Sequence, residues 1–325
     1  MTSSNNTGES DVANQENWER DVITRLAFAG LEEQKKARRW SIFFKLFFVV
    51  YLLLLVILAN FSSTSDVRPS GNYTAVIDLN GVIAQGKSAN ADNLIASLRE
   101  AFESKAKAII IRANSPGGAT VQSAYVRDEI VRLRKLHEDK KLYAVVSDLC
   151  ASGCYYIISA ADKIYANPSS LIGSIGVIVD AGFGFADAMK KVGIERRVFT
   201  AGEHKAMLDP FMPLNPADRA HMNKMLRTVH EEFIAVVKEG RGAALKPTKE
   251  MFSGRIWEGK AALKMGLIDD FGSAGKVARE IVKAEKMVDF TRREHWLDRL
   301  AGSIGSAIGD VITTRMEQDA PGVVR

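Results

Sequence analysis

Lys107–Arg112 reads KAIIIR, an apolar, β-branched run of the kind that fills a parallel strand covered on both faces. Directly after it comes Asn114-Ser115-Pro116-Gly117-Gly118, a polar break, and then Ser123–Leu136, where Val126, Ile130, Leu133 and Leu136 recur at helical spacing. Leu142–Val146 (LYAVV) is the next strand. Strand, helix and strand in this succession form a βαβ crossover. Upstream the pattern repeats: Thr74–Leu79 (TAVIDL) reads as a strand closed by Asn80-Gly81, and Ala91–Ser104 carries Leu94, Ile95, Leu98 and Phe102 on one helical face. Repeated βαβ units predict an α/β fold with a covered parallel sheet. Downstream, Asn215-Pro216 opens a long helix, because Asn caps well and Pro suits the first helical position. That helix is expected to reach about Lys238 and stop at Gly240, with further helices at Ala261–Lys264 and Ser273–Lys286. No repeat of fixed period is visible.

The chain has 325 residues, 46% of them hydrophobic, which supports a sizeable core. Its 44 Lys+Arg against 39 Asp+Glu leave a net charge of +5, too weak to point to nucleic acid unless it is clustered. Two cysteines exclude a disulfide-dense scaffold, an all-cysteine zinc site and an iron–sulfur centre. Five histidines, at 137, 204, 221, 230 and 295, show no metal-ligand spacing, so chemistry without metal or cofactor is expected.

One segment breaks the average hydropathy. Leu46–Ala59 (LFFVVYLLLLVILA) is almost wholly apolar, and no charge falls between Leu46 and Ser65. About 20 helical residues cross a bilayer core, so 46–63 is read as a transmembrane anchor. A cleavable signal peptide would begin near the N-terminus and end in a small-x-small site, and neither holds here. Lys35, Lys36, Arg38, Arg39 and Lys45 precede the span, while Arg68 follows it, which places the N-terminus in the cytoplasm and the rest outside. The expected organisation is a cytoplasmic tail over 1–45, the anchor over 46–63, a linker over 64–72, an exported domain over 73–290 and a C-terminal amphipathic stretch over 291–325. Apolar residues at 18, 22, 26 and 31 suggest a weak amphipathic helix in the tail. The stripe at 296, 297, 300, 304, 308, 311 and 312 suits core or subunit packing better than a membrane surface.

Three glycine-bearing loops follow strands, where α/β proteins build sites. Ser115-Pro116-Gly117-Gly118 can hold backbone N–H groups outward for an oxyanion, although most Pro-Gly pairs are plain turns. Cys150-Ala151-Ser152-Gly153-Cys154 sets a serine among small residues at a strand-to-helix junction, as a nucleophile elbow does; an ordinary serine N-cap reads the same way. Ala201-Gly202-Glu203-His204-Lys205-Ala206-Met207 follows a candidate strand Arg197–Thr200 and offers two bases. His204 would need a carboxylate that nothing in the sequence nominates, whereas Lys205 would need only an apolar surround to act as a neutral amine.

Together IIIRANSPGG, ASGCYYIISAADKIYANPSSLIGSIGV, AGEHKAM and SGRIWEGKAALKMGLIDDFGS resemble the signal peptide peptidase A (protease IV) family of membrane-anchored serine peptidases, across about Val76–Ala278. The resemblance implies the short form, with one catalytic domain per chain, a ClpP/crotonase-type spiral of βαβ units and assembly as a homo-oligomer in the bacterial inner membrane. It puts the nucleophile on Ser152, the general base on Lys205 and the oxyanion donors on the N–H groups of Gly118 and Gly153. A hydroxyl orienting the lysine falls on Ser174, with Ser169 and Ser170 as competitors, and Gly117 and Ala119 flank the bound substrate. Ala119 stands where a third glycine is common, and cysteines at 150 and 154 flank the nucleophile where small residues are usual. Because a bridge would distort the elbow, two buried free thiols are expected there. The implied activity is hydrolysis of cleaved signal peptides and other short apolar peptides. Two rival readings are a non-catalytic membrane-anchored scaffold that binds peptides and a crotonase-type acyl-CoA enzyme.

Overall fold

The computed structural model describes residues 34–36, 38–55 and 71–293. The chain divides into two units, Met1–Arg68 and Pro69–Arg325. In the first, residues 38–55 are helical, and large side chains such as Phe43, Phe47, Leu53 and Leu55 are exposed. Trp40 stacks on Phe44, and Phe47 on Tyr51. No described helix is long and apolar enough to cross a membrane. Residues 56–63 of the expected anchor lie outside the described residues, as do most of the tail, linker residues 64–70 and the 296–312 stripe.

In the second unit the apolar runs become a sheet. Strand β1 is Thr74–Asn80, β2 Ala108–Ser115 and β3 Lys141–Ala151, joined by helices α1 (Ala91–Glu103) and α2 (Thr120–Leu136). Successive β2 residues face opposite sides. Ile109, Ile111 and Ala113 enter the main core with Leu94, Leu98, Phe102, Ile130 and Leu133, while Ala108 and Ile110 pack against Val277, Ala278 and Val282 on the other side. Covering on both faces is why KAIIIR shows no alternation. Helix α1 starts where Asn90 Oδ1 accepts the Asn93 N–H at 2.8 Å. Of the face expected on α2, Val126, Ile130 and Leu133 are buried, but Leu136 is exposed because the helix ends there.

Beyond β3 come α3 (Gly153–Ile158), β4 (Lys163–Ala166), β5 (Leu171–Gly173), α4 (Ala186–Lys191) and α5 (Pro216–Arg241). The series ends with β6 (Ile256–Glu258), α6 (Gly259–Lys264), β7 (Asp270–Phe271), α7 (Ala274–Lys276), a π-turn over Val277–Val282 and β8 (Met287–Asp289). The sheet runs β6-β5-β3-β2-β1-β8, with β4 beside β3 and β7 beside β4. All pairings are parallel except β5 with β6. The α/β expectation with a parallel sheet therefore holds.

Three local expectations change. Arg197–Thr200 is not a strand, and Phe199 within it is 97% exposed. Helix α5 passes Gly240, where a Cβ would lie 2.2 Å from the Ser159 carbonyl oxygen, so that glycine permits a close approach rather than a stop. The Ser273–Lys286 helix ends instead at Val282, before Lys283 in the left-handed region. This frees Met287–Asp289 to pair with β1.

One irregularity positions the site. Strand β3 runs in register with β2 from Lys141 to Val146, then shifts, so that Ser115 faces Cys150. Its first part pairs with β4 and its last three residues with β5. The bend carries the end of β3 past the sheet rim and alongside the loop that leaves β2.

Candidate active site

At that rim Ser152 joins β3 to α3 with φ 53° and ψ −124°, a conformation that side-chain-bearing residues rarely adopt. Holding it costs on the order of 1–3 kcal/mol, and such strain concentrates at functional positions. The surroundings enforce it: the Ser152 N–H donates to the Gly173 carbonyl at 2.8 Å, and its carbonyl accepts the Tyr156 N–H at 3.0 Å. Its Oγ has no hydrogen-bond partner among the described residues. Beneath the elbow, Tyr155 is fully buried and donates its hydroxyl proton to the Leu267 carbonyl at 2.8 Å. Burial pushes that phenol well above its ordinary range.

The loop after β2 packs on this elbow. Ile83 donates its N–H to the Gly117 carbonyl at 2.9 Å and accepts the Ala119 N–H at 2.7 Å. These two bonds clamp Gly118 between them, and in such a parallel bridge the middle residue's own N–H points away from the partner. A Cβ on Gly118 would meet the Ile83 carbonyl oxygen at 2.1 Å, and one on Gly117 would meet Ser152 Cβ at 2.8 Å. Gly153 is equally constrained: its Cβ would lie 2.4 Å from Ser123 Oγ and 3.3 Å from the Gly118 nitrogen. The Gly118 and Gly153 amides thus lie side by side next to Ser152, with no acceptor among the described residues. Unsatisfied N–H groups at such a turn suit a developing oxyanion.

Cys150 and Cys154 form a disulfide, which overturns the expectation of free thiols. The left-handed turn at Ser152 reverses the chain and brings their Cα atoms to 5.2 Å, within disulfide range. The bridge spans the elbow, and both cysteines are fully buried.

Ser174 follows Gly173, the acceptor for the Ser152 N–H, and is itself left-handed at φ 50°. Its N–H donates to the Arg255 carbonyl at 2.7 Å. The neighbouring serines separate from it: Ser170 donates its hydroxyl to the Ser147 carbonyl, and Ser169 is exposed. Ser152, Gly117, Gly118, Gly153 and Ser174 are therefore brought together, with Ala119 next in the chain.

Lys205 is not brought to them. It is exposed in a series of turns over 201–208, and its Nζ has no hydrogen bond or ion pair among the described residues. The stretch around it, 177–214, leaves Ile178, Phe183, Val192, Ile194, Phe199 and Leu214 exposed. The carboxylate absent from the sequence reading appears here as Asp218, whose Oδ1 lies 2.5 Å from His204 Nδ1. Its signal in the sequence was faint, an acidic residue in the first turn behind Asn215-Pro216.

Comparison with known proteins sharpens this picture. Residues 134–289 match the model of Peptidase family S49. A Brucella abortus protein named as the Na(+)/H(+) antiporter NhaA is 43% identical over 211 residues, 63% of this chain but 28% of that protein. The chain thus spans under a third of that relative's length. Protease 4 of Haemophilus influenzae is 30% identical over 223 residues, 67% of this chain and 35% of that protein. A protein of Enterococcus faecium named for signal peptide peptidase SppA is 30% identical over 258 residues, 77% of this chain and 74% of that protein. Likeness sustained along most of both chains cannot come from one shared loop, and the chain belongs to peptidase family S49, the signal peptide peptidase A family.

Proposed function

We propose that the chain is a membrane-anchored serine endopeptidase that hydrolyses cleaved signal peptides and other short apolar peptides by a Ser152–Lys205 dyad. The observation that carries this reading is the left-handed Ser152 beside two free glycine amides. Ser152 Oγ attacks the scissile carbonyl and Lys205 takes its proton, then returns it to the leaving amine. The Gly118 and Gly153 N–H groups hold the oxyanion, and Ser174 orients the lysine. Substrate lies extended along 117–119, where an added strand finds backbone partners.

Within one chain no hydrogen bond joins Ser152 and Lys205 among the described residues, and Lys205 is exposed in a stretch rich in exposed apolar side chains. A second copy covering that surface would dry the amine and so favour its neutral form. The working unit is therefore a homo-oligomer in which one copy's lysine serves another's serine. Residues 46–63 anchor it in the bacterial inner membrane with the catalytic domain outside, a reading supported by the exposed apolar helix over 38–55 and the apolar continuation to Ala59. In the family's manner, the domain folds as a spiral of βαβ units.

The test is hydrolysis of a short fluorogenic apolar peptide by the detergent-solubilised full chain. Ser152→Ala and Lys205→Ala should each lose activity on the order of 10⁴-fold or more. Mixing and reassembling the two inactive variants should restore part of it. Wild-type turnover by either single variant would sink the dyad, and silence of the mixture would confine the dyad to one chain.

A further inference from the structure

Among residues 201–208, His204 alone has a side-chain hydrogen bond to another element, counted among the described residues. The other polar bonds here are internal: the Lys205 N–H donates to the Gly202 carbonyl at 3.1 Å and the Met207 N–H to the His204 carbonyl at 3.2 Å. They curl the segment without fixing it to anything. Just beyond it Asp209 pairs with Arg196 and the Pro210 carbonyl accepts the Phe185 N–H, both within 177–214; His204 supplies the tie to helix α5, with its Nδ1 2.5 Å from Asp218 Oδ1.

Asp218 is well made for holding. It is buried, at 7% exposure, in the first turn of the 26-residue helix α5. That helix starts firmly, with Asn215 Oδ1 accepting the Ala217 N–H at 2.8 Å and Pro216 at the first helical position. The positive end of the helix dipole favours a carboxylate there, but burial leaves that carboxylate needing a donor. An ionised carboxylate only accepts, so against it Nδ1 of His204 is the donor. Half exposed itself, His204 is held by a buried partner, and Lys205 is the next residue.

We infer that the His204–Asp218 pair is a positioning device for Lys205, locking the base-bearing segment to helix α5 so that the amine meets the serine at a fixed place. This rests on the assignment of Lys205 as the base. His204 and Asp218 act through the segment and touch no reacting atom. A displacement of about 1 Å at a reacting group can cost about 10²-fold in rate, which sets the expected size of the effect.

The experiment compares Asp218→Ala, His204→Ala, His204→Asn and Lys205→Ala in the detergent-solubilised full chain, reading kcat and KM on the fluorogenic peptide together with Tm. Asp218→Ala and His204→Ala should lower kcat by about 10–100-fold with KM unmoved. His204→Asn should recover most of the loss, because the Asn amide nitrogen sits where Nδ1 does and can donate to the same carboxylate oxygen. Unchanged kcat in Asp218→Ala, or a His204→Asn variant as impaired as His204→Ala, overturns the inference while leaving the dyad standing. An active Lys205→Ala beside a dead His204→Ala makes the histidine itself the base and overturns the dyad reading with it.

Discussion

Ile110 and Phe199 are both large apolar residues in one unit of the chain, and they sit in opposite worlds. Ile110 is fully buried between the sheet and the Val277–Val282 turn, whereas Phe199 is 97% exposed in a stretch with no regular pairing. The contrast is regional. From β1 to β5 the strands and most of the helical faces are buried, with Val82, Val121, Tyr125 and Leu136 among the exceptions, and the serine, the glycine amides and Ser174 fall into place from local packing. Across 177–214 it leaves apolar side chains and Lys205 on the surface. In the proposed dyad, the serine half is completed by folding alone, and the lysine half is what a second copy would complete.

Equivalent truncations should therefore have unlike consequences. Ile110→Ala is expected to cost roughly 2–5 kcal/mol of stability, as a cavity opens under the sheet. Phe199→Ala should stay within about 0.5 kcal/mol, since that side chain is almost wholly exposed. It should, however, lower the assembled mass of the solubilised full chain. Denaturant melts and sedimentation of the two variants check the pair. Equal stability losses would mean that Phe199 is covered within its own chain, and the comparison would break.

Glycine substitution sharpens the same comparison at the backbone. In Gly118→Ala the new Cβ must escape the Ile83 carbonyl, so the loop moves and with it the amide proposed to hold the oxyanion. A loss of about 10²–10³-fold in kcat is expected, the scale of removing one oxyanion donor. Gly182→Ala, also left-handed at φ 71° but with open space around it, should cost about 1 kcal/mol of local strain and leave kcat alone. Steady-state kinetics on both variants decide the matter. A kcat loss in Gly182→Ala matching that of Gly118→Ala would show the exposed stretch to be as rigidly specified as the elbow.

How much of this was legible in sequence divides along the same line. KAIIIR, LYAVV and TAVIDL are long apolar runs whose burial needs no tertiary knowledge, and the strands fell where they predicted. Small residues around Ser152 marked the junction, but not its left-handed backbone, which the Gly173 and Tyr156 bonds impose from outside the motif. The disulfide was misread because the distance between Cys150 and Cys154 depends on that same turn. Strands β5 to β8, two or three residues long, are too short to carry a period and form only because neighbours present edges. Asp218 escaped because its pairing with His204 spans two elements and leaves no spacing rule. Arg197–Thr200 had the composition of a strand without an edge to pair with.

The smallest effects compare two carboxylates, one in each region. Glu129 on α2 accepts bonds from Arg132 and Arg99, and these cations, Arg132 first, hold its carboxyl at about 2 against the opposing effect of burial. Asp209, beside the Lys205 segment, is also held below its ordinary value, chiefly by the Phe211 N–H and then by Arg196. Both folded values are depressed, so each group stabilises the fold above its unfolded pKa and loses that contribution as pH falls through the folded value. For Glu129 the window runs from the ordinary glutamate range down to about 2. Thermal melts across this range should show Glu129→Gln below wild type in Tm at neutral pH, with the gap closing as the acid end is reached. Asp209→Asn should show a smaller gap, because a single arginine pairs with Asp209 whereas two pair with Glu129. A Glu129→Gln gap independent of pH would mean that the loss comes from packing, since a change in charge stabilisation must vanish once the native carboxylate is protonated.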